Sequence, residues 1–286
     1  MDIHNAGGGI HSTVQSILKA SEDELYTLFK SRLLQLLKSG VTLVECKSGY
    51  GVDFQSELKL LRVINRGLRD PEVKSDISVT YCGAHAVPRG KTAKEATEDI
   101  LTNQIPKLKE LCDKGELHID NIDVFCEKDT KAILKAGQSA GWKLNFHAEE
   151  FVRLHSVEMG AELNATAMSH LEEISDEGIK AMAEKGCVAT ILPTTAYLLH
   201  LKPPPVRKMI EEGVPVALGT DFNPNAYCLS MPFVMNLACV TMGMTMNETL
   251  AAATLNSAAS LNMSATHGSI EVGKVADAVI VDSPRE

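Results

Sequence analysis

The chain has 286 residues, of which 44% are hydrophobic and 23% are charged, and its formal net charge is −9. This composition is typical of a globular protein that is long enough to bury a sizeable core. The acidic balance and the absence of a basic stripe argue against a nucleic-acid partner, and because no apolar run reaches the roughly 18 residues of a membrane span, no membrane partner is expected.

The first predicted element is an amphipathic helix over residues 21–40, which begins with a capping box formed by Ser21 and Glu24. From residue 41 onward, short apolar runs alternate with helical stretches. Seven of these runs are predicted strands, at residues 41–46, 77–85, 122–127, 143–148, 165–170, 188–194 and 214–221. Their continuous apolar character is typical of parallel strands covered on both faces, and the repeated βα units predict a parallel sheet.

Polar residues recur at the C-terminal ends of these strands. They are the stretch 47–50, His85, Glu127, His147, His170, Thr194 and Asp221. In a closed (β/α)₈ barrel that end is the active-site face, whereas an open doubly wound sheet concentrates its chemistry at one switch point. The distribution over many strand ends favours the barrel. Only seven strands are found, and no strand precedes the helix at 21–40, so we expect an incomplete barrel that lacks its first strand.

The C-terminal part follows a different pattern. A helix is predicted over residues 244–263, and the alternating segment 268–282, with turn glycines Gly268 and Gly273, predicts a hairpin outside the barrel. No partner strands follow the hairpin, so the sequence gives the impression of being cut at both ends. Near the other end, the glycines of NAGGGIHST (residues 5–13) have no GK[ST] after them, and they favour a mobile loop over a phosphate cradle.

The residues at neighbouring strand ends suggest a metal centre. His147 alone is more often a satisfied structural histidine, but His170 ends the next strand and Asp221 ends a strand two further on. Imidazole and carboxylate groups together suit Zn²⁺ or Fe²⁺. Alternatives stay open at this point, because Asp221 could cap the turn that follows it and Glu150 could be a first-turn helix carboxylate.

Six motifs that run through nearly the whole chain carry a resemblance to a known family. They are AGGGI, GAHAVP, NFHAEE, MSHLEE, LGTDFNP and GKVADAVIVD. Together they resemble the imidazolonepropionase family of metal-dependent amidohydrolases. The resemblance implies a TIM-type (β/α)₈ barrel beside a small β-sandwich, and hence a barrel lacking strand 1 over residues 1–263 and a partial β-sandwich over residues 264–286. It further implies one divalent metal, zinc or iron, and hydrolysis of the cyclic amide of 4-imidazolone-5-propanoate to N-formimidoyl-L-glutamate in histidine degradation.

The resemblance also implies a role for each matching residue. His147 and Asp221 correspond to metal ligands, and His170, Glu150 and Asp221 correspond to catalytic groups. The positions that correspond to substrate contacts are Tyr50, His85, Glu150, Asn223, Asn225 and Ala226. The other two ligands of the family form a His-x-His pair, which this sequence does not contain, and the family's substrate-binding arginine is also missing.

Two alternative functions stay open. One is a deaminase of heterocyclic amines, because such enzymes have a pattern like HAEE, although GAHAVP and AGGGI favour the ring-opening hydrolase. The other is a catalytically inactive, truncated form of the hydrolase, because two metal ligands are missing and an incomplete barrel exposes sheet edges.

The seven cysteines are scattered singly, with no Cys-x-x-Cys pair, and the sequence does not begin like a signal peptide. Both features predict reduced thiols in a cytosolic protein. For partners, the resemblance implies a small-molecule substrate and a homodimer.

Overall fold

The computed structural model describes residues 10–125 and 130–280. Seven strands form one sheet in sequence order, and every neighbouring pair is parallel. The strands are β1 (Leu43–Lys47), β2 (Asp76–Ala84), β3 (Asn121–Val124), β4 (Lys143–Ala148), β5 (Ala167–His170), β6 (Val188–Ile191) and β7 (Val216–Leu218). The parallel sheet that the alternating runs predict is therefore confirmed.

Helices connect the strands and cover the outside of the sheet. They are α1 (Ile10–Lys19), α2 (Glu22–Lys38), α3 (Phe54–Arg69), α4 (Ala93–Asp99), α5 (Ile105–Asp113), α6 (Thr130–Ser139), α7 (Ser156–Glu162), α8 (Asp176–Lys185), α9 (Pro193–Leu198), α10 (Val206–Glu211), α11 (Met231–Met242), α12 (Met246–Ala253) and α13 (Leu255–Ser260). A π-helical turn, Ile100–Gln104, joins α4 to α5. The capping box predicted for α2 is confirmed, since the Glu24 amide donates to Ser21 Oγ and the Ser21 amide donates to Glu24 Oε2.

The core lies between the sheet and these helices. Ile122, Phe146 and Met168, on three successive strands, are completely buried, and burial of each such side chain contributes about 1.5 to 3 kcal/mol. Gly137 of α6 lets that helix approach the sheet closely, because a Cβ at this position would meet Ile122 Cγ2 at 2.5 Å. Close packing of this kind fixes the helices against the strands and makes the strand ends a rigid frame.

The sheet is curled. Tyr50, just after β1, and Asp221, just after β7, are close enough for the charge of Asp221 to raise the pKa of Tyr50, so the first and last strands end at the same opening. Within residues 10–125 and 130–280, β1 and β7 each pair with a single neighbour. The structure is thus an incomplete TIM barrel, as predicted. We call the opening at the C-terminal ends of the strands the mouth.

Three local expectations differ from the structure. The helix predicted over 244–263 breaks at Thr254, which leaves helical geometry between α12 and α13. The hairpin predicted over 268–282 is wrong for residues 268–280, which form no strand. Ile270 and Val272 there are fully exposed, and a lone two-stranded hairpin is marginal in water. The division of the chain at residue 263 stays a prediction.

At the N-terminal end, residues 10–13 belong to α1 and not to the expected loop, while residues 5–9 and Glu127 lie outside the described residues. No helix in the described part of the chain is long and apolar enough to cross a membrane.

Candidate functional site

The mouth gathers the polar residues that end the strands. His147 is the fifth residue of β4, His170 is the last of β5, and their ring centroids lie 5.2 Å apart. Asp221 follows β7 and is close enough for its charge to act on the pKa of His147. Parallel strands place their carboxyl ends at the same edge of the sheet, so residues separated by as many as 74 positions along the chain share one space.

Aromatic rings form a row across this space. His85, Phe125, His147 and His170 are stacked in order, with ring centroids 5.1, 4.4 and 5.2 Å apart. Tyr50 meets His85 edge to face at 4.8 Å. His85 donates from Nδ1 to the Gly49 carbonyl at 2.7 Å. Burial, followed by the positive charge of His147, lowers the pKa of His85 to about 4, so a neutral imidazole faces the mouth at physiological pH.

His147 is held from behind by a buried ion pair. Asp123 Oδ1 accepts from His147 Nδ1 at 2.9 Å and from the His147 amide at 3.1 Å, while Asp123 Oδ2 lies 2.8 Å from Lys47 Nζ. Burial alone would raise the pKa of the Asp123 carboxyl, but the charges of His147 and Lys47 outweigh it and hold the pKa below its usual range. With Nδ1 engaged, the remaining ring nitrogen of His147 is Nε2.

The other side of the mouth is rich in buried carboxyl groups. Glu150 Oε1 and Glu172 Oε2 lie 3.8 and 3.9 Å from His170 Nδ1, which is too far for hydrogen bonds. Burial raises the pKa of Glu150 to about 7 and that of Glu172 to about 8. Burial also lowers the pKa of His170 well below its ordinary value. Near neutral pH, His170 is therefore uncharged, Glu172 is mostly protonated and Glu150 is about half protonated.

Asp221 begins a structured turn. The Thr195 hydroxyl donates to its side chain, and burial raises the pKa of the Asp221 carboxyl. Asn223 Oδ1 accepts from the amides of Asn225 and Ala226 at 2.8 and 3.1 Å, so Asn223, and not Asp221, caps the turn. Ala226 is buried and Asn225 is exposed. The side chain of Asp221 thus remains at the mouth.

The loop that carries Tyr50 is fixed by one buried carboxylate. Glu57 of α3 is fully buried and accepts from the amides of Gly49, Gly51 and Val52 at 3.1, 2.6 and 3.1 Å. A Cβ on Gly51 would meet the Glu57 amide nitrogen at 2.4 Å, so only glycine allows this close approach. The Tyr50 ring therefore projects from a loop of fixed shape.

The described residues at the mouth can supply part of a metal coordination sphere. His147 Nε2 has no hydrogen-bond partner within the described ranges, and it faces the same space as the carboxylate of Asp221. A single group of three possible ligands with atoms within 4.8 Å of one another is found in the described part of the chain, and it consists of Asp76, His267 and Asp277. It lies at the opposite edge of the sheet, where Asp76 begins β2, and both ring nitrogens of His267 are already hydrogen-bonded, to Thr266 and Asp76.

Sequence reasoning did not identify three residues of this arrangement. Asp123 lies inside an apolar strand run, Glu172 is the first of two glutamates after His170, and Glu57 lies in an amphipathic helix. A charged residue inside a run otherwise typical of a buried strand is a usable signal for Asp123, because such a charge needs a partner. Glu57 and Glu172 have no comparable signal, since glutamates at the start of helices and in loops are usually solvated.

Comparison with known proteins gives concordant matches. The sequence model of the Amidohydrolase family matches residues 127–285. The chain is 58% identical over 291 residues to a protein named probable imidazolonepropionase from Bos taurus and equally similar to the one from Homo sapiens. Each match covers the whole of this chain and 68% of the relative.

Among solved structures, an adenosine deaminase from Xanthomonas campestris with bound zinc superposes with a TM-score of 0.64 and 17% identity, over 86% of this chain and 59% of that one. At this level of identity the superposition establishes a common fold and nothing further.

Proposed function

The chain belongs to the imidazolonepropionase family of metal-dependent amidohydrolases, which hydrolyse a C–N bond, and from this premise we propose that its mouth opens the ring of 4-imidazolone-5-propanoate to give N-formimidoyl-L-glutamate. The observation that carries the proposal is the convergence of His147, His170 and Asp221 from three strands on one space. Imidazole and carboxylate groups at that position suit hydrolysis of a small polar ring.

His147, through Nε2, and Asp221 would hold the cation. The fit is partial, because a catalytic metal usually takes three protein ligands and this sequence has no His-x-His pair. The nitrogen and oxygen donor set suits zinc and iron alike. When bound, a divalent cation supplies Lewis-acid chemistry, which polarises the ring carbonyl and lowers the pKa of water.

The chain's own residues would move the protons. Asp221 would take a proton from the attacking water and pass it to the departing ring nitrogen, since its carboxylate lies at the same opening as His147. His170 and Glu150 orient the water and the ring by hydrogen bonds. A neutral imidazole and a protonated carboxyl can each donate and accept a hydrogen bond, and the protonation states that burial favours therefore suit both groups to this role.

Substrate binding would use the rest of the mouth. Tyr50 and His85 present aromatic faces and polar tips for the ring and the propanoate arm. Asn223, Asn225 and Ala226 form the turn on the opposite side and offer backbone and amide groups. The neutral state of His85 leaves it free to hydrogen-bond without binding the arm as an ion pair.

The test is a spectrophotometric assay of imidazolone loss, run beside an assay of ammonia release from heterocyclic amines, on a chimera in which the bovine relative supplies the segments outside the match. We expect ring opening without ammonia in this chimera. His170→Ala and Asp221→Ala should each lower the rate by at least about 100-fold, while His118→Ala should leave it unchanged, because His118 lies on the surface with 61% of its side chain exposed. Ammonia release without ring opening would support the deaminase alternative instead.

A second proposal concerns the 286-residue chain on its own. With two candidate ligands at the mouth and no His-x-His pair, we expect weak metal binding and little or no turnover. A chimera in which the bovine relative supplies the segments outside the match should bind metal stoichiometrically and open the ring. Stoichiometric metal and full activity in the 286-residue chain would contradict this expectation, and an inactive, well-metallated chimera would contradict the ring-opening function.

We further propose that the enzyme is a cytosolic homodimer that binds neither nucleic acid nor membrane. The unpaired cysteines, the net charge of −9 and the lack of basic stripes support the location and the excluded partners. The dimer is supported by the family resemblance. Analytical ultracentrifugation of the purified protein measures it directly.

A further inference from the structure

We propose that Asp123 is a positioning residue, which fixes the ring of His147 in one tautomer and one orientation so that Nε2 is presented to a divalent cation at the mouth. The part concerning the cation rests on the proposed function, whereas the tautomer does not. Asp123 itself lies behind the ring, on β3, and is completely buried.

Hydrogen-bond geometry determines which nitrogen carries the proton. Asp123 Oδ1 lies 2.9 Å from His147 Nδ1, and an ionised carboxylate can only accept. The carboxylate is ionised because Lys47 Nζ lies 2.8 Å from its other oxygen. Nδ1 must therefore donate, and whenever the ring carries a single proton, Nε2 keeps its lone pair. That is the form in which a neutral imidazole binds a metal.

The ring is fixed in orientation as well as in tautomer. The same Asp123 oxygen accepts the His147 amide at 3.1 Å, so backbone and side chain are tied to one atom. Phe125 stacks on one neighbouring side of the ring, with centroids 4.4 Å apart, and His170 stacks at 5.2 Å. A 180° rotation about χ2 would put Cδ2 in the place of Nδ1, which would break the hydrogen bond to Asp123 and leave the carboxylate facing a carbon atom.

Lys47 is in turn held by a second carboxylate. Glu45 Oε1 lies 2.9 Å from Lys47 Nζ and accepts from the Thr80 hydroxyl at 2.5 Å. The strand register explains this assembly, because Lys47 pairs with Thr80 and Thr80 pairs with Asn121. Residues of four adjacent strands thus form one layer inside the sheet, with His147 at the end that faces the mouth.

Stability alone is a poor explanation of this arrangement. A buried ion pair often contributes no more than well-packed apolar side chains of the same volume. A carboxylate behind a metal-binding histidine, by contrast, orients the ring and raises its basicity, and its loss weakens metal binding about 10- to 100-fold.

The experiment uses the full chain, metal-free and labelled with ¹⁵N-histidine. At a pH at which the ring carries a single proton, long-range ¹H–¹⁵N correlation spectra should show His147 protonated at Nδ1 and unprotonated at Nε2. Titration with Zn²⁺ should then shift the Nε2 resonance. In Asp123→Asn, we expect a mixture of tautomers and a Zn²⁺ affinity about 10- to 100-fold lower than in the wild type.

Asp120→Asn is the matched control. Asp120 also lies 2.8 Å from a ring nitrogen of a histidine, the exposed His118, but it stands just before β3, away from the mouth, and its other oxygen accepts from the Val79 amide. This change should therefore leave both the His147 tautomer and the Zn²⁺ affinity unaltered. If Asp123→Asn does not fold, the wild-type spectra give the second reading, because a singly protonated His147 ring with its proton on Nε2 and not on Nδ1 would contradict the assignment.

A single His147 tautomer in Asp123→Asn, an unchanged Zn²⁺ affinity, or no Zn²⁺-dependent shift of Nε2 in the wild type would overturn the proposal. None of these readouts involves turnover. Lost ring-opening activity with the expected tautomer and Zn²⁺ shift would count against the proposed function and leave this inference intact.

Discussion

The two sides of the mouth differ in how their buried polar groups are partnered. On the β1–β4 side, the charged groups of Glu45, Lys47, Asp123 and His147 each lie within 2.9 Å of an oppositely charged group, although Asp123 Oδ2 meets Lys47 as an ion pair without hydrogen-bond geometry. On the β5 side, His170 Nδ1, Glu150 Oε2 and both carboxyl oxygens of Glu172 have no hydrogen-bond partner. Because buried polar groups are nearly always satisfied, the first side is organised in advance, and the second is organised to receive water and ligand.

The backbone shows the same contrast. The β4 strand runs regularly through His147, but His170 and Leu171 at the end of β5 both have a positive φ, at 76° and 71°. Two successive non-glycine residues in the left-handed region cost about 1 to 3 kcal/mol each, and such strain is typical of functional sites. This turn brings Glu172 close to His170, so the strained backbone lies on the same side of the mouth as the polar groups without hydrogen-bond partners.

The largest effect should come from breaking the partnered side. Lys47→Met removes the cation beside the completely buried Asp123 and should lower the unfolding free energy by about 3 kcal/mol. The loss is smaller than for a fully buried pair because 28% of the Lys47 side chain is exposed. Lys131→Met, in the surface pair with Glu162, should cost less than about 1 kcal/mol. Urea denaturation of both variants measures the two losses, and equal losses would mean that the buried ion pairs contribute no more to the unfolding free energy than the surface pair does.

The β5 side of the mouth, where the carboxyl groups lack hydrogen-bond partners, should make the unfolding free energy depend on pH. Glu172 has a pKa of about 8 in the folded protein, mainly because of burial and then because of Glu150 and Asp221, against an ordinary value of 4.5. Between those two values the unfolded chain has released the proton and the folded chain still holds it. Unfolding free energy must therefore fall as pH rises through this window.

Glu172→Gln removes this penalty because the amide is shaped like the protonated acid. In metal-free protein we expect the variant to match the wild type near pH 4.5 and to exceed its stability by about 2 kcal/mol at pH 8. The gain is smaller than the full pKa difference would give because Glu150 titrates in the same range. Chemical denaturation at several pH values measures the trend, and a wild type whose stability rises from pH 5 to pH 8 relative to the variant would refute it.

How much of this contrast the sequence predicts depends on whether each feature arises from neighbouring residues or from residues far apart in the chain. The βα alternation and the strand ends depend on local periodicity, which is why seven strands and the positions of His147, His170 and Asp221 could be read from sequence alone. The capping box of α2 is likewise local, because Ser21 and Glu24 are three residues apart.

Contacts between side chains on different strands cannot be predicted from local sequence patterns. Asp123 meets Lys47 only because β1, β2 and β3 are in a particular register, and Glu172 is buried only because of a two-residue left-handed turn. The hairpin expected over 268–282 failed for a related reason. Its alternation is a local signal, but a strand also needs a neighbour to pair with.

Glu57 offers the smallest and most discriminating test, because it is a glutamate as buried as Glu172 but fully partnered. Its carboxylate accepts three backbone amides of the loop that carries Tyr50. Burial raises the pKa of Glu57, and the Ser48 hydroxyl and these amides offset that rise only in part. Because a side-chain NH₂ group at Glu57 would face backbone donors, which Glu172 lacks, we expect the same Glu→Gln change to act in opposite directions at the two sites.

In Glu57→Gln, one carboxylate oxygen becomes an NH₂ group that faces a backbone N–H, so a donor is left buried against a donor. We expect a loss of about 1 kcal/mol of unfolding free energy at pH 8, where Glu172→Gln gives a gain. Because the loop positions Tyr50, KM for the imidazolone in the active chimera should rise more than kcat falls. A stability gain in both variants would show that burial alone, and not partnership, governs these carboxyl groups, and the contrast between the two sides of the mouth would then lose its energetic basis.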